Sequence, residues 1–190
     1  MKIINIEEIA NYFLSKESMS LKKLNKLCYY AYVWTLVYED EYYYKIDTKF
    51  QAWVHGCSNP TIFNKYKDKY RDKDIPKIEK YNCNFTVDYR ELINEVYESY
   101  GKYNGEQLEY LNHNELPWQE ARGDLQVGEA CYNEIDENTI KWYYGKQVDY
   151  DKKEEEIKEI LDYLRNYDLG SDYKNNINRL EELINELKCN

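Results

Sequence analysis

Histidine is nearly absent from this chain, with only His55 and His113 among 190 residues. A metal centre needs three or four ligands, and neither a His-Glu-x-x-His helix nor a Cys-x-x-Cys pair is present to supply them. No metal and no cofactor are expected. The seven glycines fall singly at the ends of elements, so there is no Gly-rich loop to cradle a phosphate. Basic residues are outnumbered, 26 Lys and Arg against 36 Asp and Glu, for a formal net charge of -10. That charge repels phosphate backbones and argues against direct nucleic-acid binding; a basic protein is the better-matched charged partner. Long apolar runs are missing too. The longest uncharged one, Cys28 to Tyr38, falls well short of the ~20 residues that span a bilayer, and the N-terminal Met-Lys-Ile-Ile-Asn-Ile-Glu-Glu lacks the apolar region of a secretory signal. The expectation is a soluble, cytoplasmic protein without a membrane segment. Its five cysteines, Cys28, Cys57, Cys83, Cys131 and Cys189, are odd in number and scattered, which fits reduced thiols.

What the chain does have is tyrosine, 23 of them, within an apolar content of 43%. Tyrosine carries a large apolar ring and a hydroxyl that needs a partner, which suits half-buried positions and recognition surfaces. The length is enough for one core with an appendage. Asn5 followed by Ile6, Ile9, Ala10, Phe13 and Leu14, with Glu8 at the capping-box position, predicts a helix over 6–16. Ser20 caps a second stripe through Leu24, Leu27, Cys28, Ala31 and Trp34 whose apolar residues surround the axis, as a central helix requires. Phe50, Ala52 and Val54 alternate as in a short strand or hairpin arm, and Asn59-Pro60 supplies a cap and a first-turn proline for the next helix. Asn82 to Val87 reads as a further short extended piece. A stripe from Tyr89 to Tyr100 stops at Gly101, a residue type that tolerates a left-handed helix end. Short helices follow Asn104 and begin at Pro117, and a last core helix covers 137–144.

After Gly145 the composition shifts to dense Glu, Lys and Asp, with no Pro or Trp. Two narrow apolar stripes separated by Gly170-Ser171-Asp172 predict an acidic helical hairpin over 146–190, appended to a domain of residues 1–145. Its seam must cover the main domain, its own second helix or another copy of the chain, so a homo-oligomer formed through it is one of the expected outcomes.

Two clusters invite a chemical reading. His55-Gly56-Cys57 places a thiol near a base, but neighbours along an extended segment do not form a triad, and a structural loop thiol is the better reading. The stretch Leu108 to Arg122 gathers His113, Trp118 and Arg122 around Pro117. Those side chains either satisfy buried carbonyls and carboxylates or contact a partner. No catalytic residue is expected.

Three blocks together resemble a known family. The first is Leu24-Asn25-Lys26-Leu27-Cys28-Tyr29-Tyr30-Ala31-Tyr32-Val33-Trp34. The second is Phe50-Gln51-Ala52-Trp53-Val54-His55-Gly56, leading through Pro60 to Tyr66-Lys67. The third runs from Leu108 to Arg122, and Tyr143-Tyr144 resembles a closing helix. Their order and spacing are similar to the Panacea antitoxin domain, the SocA-like family found in phage and prophage genomes. Where that family usually has Gly-Pro-Val-x-Pro, this chain has Gly56-Cys57-Ser58-Asn59-Pro60. The resemblance implies a mainly α fold with a small antiparallel β-sheet, and a non-catalytic antitoxin that neutralises a cognate toxin, encoded nearby, by direct protein contact. The alternative within the resemblance is a phage or prophage proteolysis adaptor or counter-defence protein with no toxin partner. The signature and partner-binding candidates it marks are Tyr29, Tyr30, Trp34, Trp53, His55, Gly56, His113, Pro117, Trp118 and Arg122.

Overall fold

The helix of residues Leu21–Val37 occupies the centre of the fold, and the sequence around it explains why. The computed structural model describes residues 2–126 and 128–148. The Ser20 hydroxyl accepts the Lys23 amide at 3.2 Å and starts α2 (Leu21–Val37). Twelve of its 17 residues are buried, so the helix must be covered on every side. Helix α1 (Ile6–Leu14), β2 (Tyr44–Ile46), β4 (Gly56–Ser58), α4 (Pro60–Tyr70), α5 (Val87–Tyr100) and α6 (Gly105–His113) do this. The fold is mainly helical with a small antiparallel sheet. No helix among the described residues is long and apolar enough to cross a membrane.

The antiparallel sheet is the pair β3 (Gln51–Trp53) and β4, in register Gln51 to Ser58, Ala52 to Cys57 and Trp53 to Gly56, joined through Val54 and His55. A second pair is parallel: β1 (Lys2–Ile4) lies beside β2. Three-residue strands carry too little alternation to announce themselves, and this pairing joins segments some forty residues apart in sequence. It is reached through the short α3 (Glu39–Tyr42), whose end is turned by Tyr43 in the left-handed region at φ 54°.

Caps set the remaining boundaries. Asn5 Oδ1 accepts the Glu7 amide and α1 stops at Leu14, two residues short of the predicted end. Asn104 and Gln107 form the predicted reciprocal capping box of α6. Helix α7 (Leu116–Arg122) starts one residue before Pro117. The extended piece expected at 82–87 is absent: Phe85 is buried against Tyr12 and Tyr89, no strand lies alongside, and Thr86 caps α5. Gly101 is not left-handed, since its φ is -64°. A Cβ there would stand 2.5 Å from the Tyr97 carbonyl oxygen, so close approach rather than a positive φ calls for glycine. The helix predicted over 137–144 is helical on to residue 148. The acidic hairpin expected over 146–190 lies essentially outside the described residues.

Much of the tyrosine excess is core. Tyr29, Tyr30, Tyr32 and Tyr89 are fully buried. Tyr30 stacks on Tyr100 at 3.7 Å, while the Tyr32 hydroxyl donates to Glu137 and that of Tyr89 meets Thr35, both at 2.8 Å. Each ring fills apolar volume and each of these hydroxyls ties one helix to another.

Asn59 joins sheet to helix. It is fully buried; its Oδ1 accepts the amides of Thr61 and Ile62, and its Nδ2 donates to Thr48 and the Lys49 carbonyl. Asn59→Ala should lower stability by about 2–3 kcal/mol in urea denaturation, more than an exposed helix cap costs, because it also orphans the Lys49 carbonyl.

Candidate functional site

The residues that stood out in the sequence converge on the backbone of one strand. Arg122 Nη1 donates to the Ala52 carbonyl at 3.2 Å, Trp118 Nε1 to that of Trp53 at 3.0 Å, and His113 Nε2 to that of Val54 at 3.0 Å. Three side chains from the end of α6 and from α7 thus satisfy three consecutive carbonyls of β3 and its turn. Because His113 faces a carbonyl, its Nε2 carries the hydrogen. Burial holds its pKa below the usual histidine value. The three donors are stacked together: the His113 and Trp118 rings lie 4.2 Å apart, and the Arg122 guanidinium sits 4.9 Å from the Trp118 ring. Arg122 also reaches the carbonyls of Gln126 and Glu129, closing the loop after α7. Farther along, β3 is met by the segment after that loop: the Ala52 amide donates to the Asn133 carbonyl and the Ile135 amide to that of Phe50.

Behind the hairpin lies a buried polar network that the sequence did not single out. Lys26 is buried on α2, where its Nζ donates to the Cys57 carbonyl at 2.9 Å, and burial pushes its pKa down to about 8. Gly56, at φ +84°, leaves room for it: a Cβ would stand 2.9 Å from the Lys26 Nζ and 3.2 Å from Asn112 Oδ1. Asn112 Nδ2 donates to the Tyr30 hydroxyl at 3.0 Å, and that hydroxyl donates to Glu115 at 2.8 Å. Burial raises the Glu115 pKa above its ordinary value, against the hydrogen bonds from Tyr30 and Asn112. Lys26 falls inside the first sequence block and Asn112 and Glu115 inside the third, yet solvated Lys, Asn and Glu are so common that type alone could not mark them.

The named candidates therefore divide by place. Tyr29, Tyr30, Gly56, Pro117 and Arg122 are buried and belong to the interior. Trp34, Trp53, His113 and Trp118 are half-buried. Trp34 packs on Tyr38 and Tyr144 with its Nε1 toward the Tyr100 hydroxyl, away from the clasp on β3. His55 is exposed at the hairpin tip, with Nδ1 3.1 Å from Glu109. Cys57, two residues on in β4, is fully buried, and burial pushes its thiol well above the usual range, the reverse of an activated thiolate. Among the described residues no group of three His, Cys, Asp or Glu side chains is arranged to hold a metal ion.

Fold and site together define a small helical domain whose distinctive residues clamp a β-hairpin against a central helix. The family model of the SocA-like antitoxin Panacea domain matches residues 24–119, half of the chain, from within α2 to within α7. The chain belongs to that family of antitoxin-like proteins. No curated protein and no solved structure matches it.

Loss of these contacts has graded consequences. Arg122→Gln should cost about 2–3 kcal/mol in chemical denaturation and Trp118→Phe about 1 kcal/mol, with the double variant non-additive because the two side chains touch. Glu115 supplies a pH test. Its raised folded-state pKa means that the native protein binds the proton more tightly than the unfolded chain. Its contribution is therefore complete at acid pH and is lost as pH rises through the raised value. Thermal denaturation between about pH 4 and about pH 8 should show this loss in the natural protein and a flatter profile in Glu115→Gln.

Proposed function

We propose that this protein is an antitoxin that neutralises a cognate toxin by direct protein contact, without catalysis, in the cytoplasm of a bacterial host. The family-model match across residues 24–119 carries this reading. Two physical features support it. The one thiol beside a histidine is buried with its pKa raised, leaving no activated nucleophile at the hairpin. The chain is strongly acidic, and on α5 the exposed Asp88, Glu91, Glu95 and Glu98 recur at helical spacing along one face. A negative partner speeds encounter with a basic toxin and disfavours wrong partners.

Co-expression with the product of the adjacent gene tests the proposal. That product alone should arrest growth; this protein should restore it, and the two should co-purify as a complex whose association slows as salt is raised. Cys57→Ser should rescue as well as the natural protein. A neighbour without toxicity, absence of rescue, or recovery of a protease in place of a toxin would each contradict the antitoxin reading.

A further inference from the structure

A second site lies on the other side of the hairpin from the α7 clasp. A cleft of about 460 Å³ opens between the first half of α2, one face of α4 and the hairpin. This is within the range of small-molecule pockets, about 300–1,000 Å³. Its charge runs against that of the chain. Lys22 and Lys26 line it from α2; Lys67 and Arg71 line it from α4 and its C-cap. Lys22 is neutralised by Glu109 at 2.6 Å. The other three cations are in no ion pair among the described residues, while a single carboxylate, Asp68, shares the lining with them. Lys26 matters most: it is buried, and the contacts of its Nζ are to the neutral Cys57 carbonyl and, at 3.5 Å, the Ser58 hydroxyl. A buried ammonium without a carboxylate partner is costly unless an anion arrives to meet it.

The same cleft is lined by two half-buried aromatic rings, Trp53 and Phe63, edge to face at 4.9 Å. Phe63, Lys67 and Arg71 are four residues apart on α4, so ring and cations follow one another along a single face. A free phosphate would leave the rings without a partner, and an apolar ligand would leave the cations without one. A nucleotide satisfies both, with its base on the rings and its phosphates among the cations.

We infer that this cleft binds a mononucleotide, with Trp53 and Phe63 holding the base and Lys26, Lys67 and Arg71 the phosphates. The inference does not rest on the antitoxin reading, and binding is assayed in the absence of any toxin. Isothermal titration of the full chain with ATP should give one site with a Kd below about 1 mM, weakened by salt, whereas adenosine and inorganic phosphate should each bind at least about tenfold more weakly. Lys67→Gln/Arg71→Gln changes two side chains at the surface end of α4 and should keep the circular-dichroism spectrum and melting temperature while weakening ATP at least about tenfold; Phe63→Ala should weaken ATP but not inorganic phosphate. Absence of saturable ATP binding up to about 5 mM, ATP affinity unchanged in the double variant, or equally tight binding of a Glu-rich peptide that competes with ATP would overturn the inference.

Discussion

A two-stranded hairpin leaves the outer edges of its strands unpaired, and inside a protein those carbonyls must find donors or carry a desolvation penalty of about 1–3 kcal/mol each. The rest of this fold is arranged around that constraint on β3. One stretch of its edge is met by backbone, through Asn133 and Ile135, and the Ala52 carbonyl by Arg122, while Trp118 and His113 take the Trp53 and Val54 carbonyls at the turn. Side chains serve where a further strand does not, because the approach of α7 is helical and a helix has no free amides along its flank. Indole, guanidinium and imidazole N–H groups reach across the gap from positions four and five residues apart.

Clamping the hairpin has a consequence on its other face. Cys57 and Gly56 are pressed onto α2, where Lys26 meets the Cys57 carbonyl and the missing Gly56 side chain leaves room for the ammonium. Beside that contact a second chain of hydrogen bonds runs from Asn112 through Tyr30 to Glu115, the residue that opens α7. The clasp and the buried network are thus two sides of one assembly, with the hairpin between them and α6–α7 touching both.

Legibility in the sequence followed the range of each interaction. The central helix, the Asn59-Pro60 start, the Asn104–Gln107 capping box and the stripe of α5 are local patterns, and each was readable from spacing alone. The parallel pairing of β1 with β2 was not, since three residues carry no periodicity and the partners are far apart. Gly101 does end α5, as its type suggests, but what requires glycine there is close approach to the Tyr97 carbonyl, which spacing does not show, and not a positive φ. His113, Trp118 and Arg122 could be marked as rare, directional side chains, yet their acceptors are backbone carbonyls some sixty to seventy residues away, which no side-chain pattern encodes.

By itself the sequence determined the helical class, the order of the elements and the family, because these rest on periodicity, caps and the succession of three signature blocks along one chain. Tertiary structure alone decided what the marked residues do. It turned Tyr29, Tyr30 and Arg122 inward, left His55 exposed at the hairpin tip while burying Cys57, and gathered lysines, an arginine and two aromatic rings from separate elements into one cleft of an otherwise acidic protein. The physical reason is that burial and convergence belong to pairs of residues distant in the chain, whereas spacing reports only on neighbours.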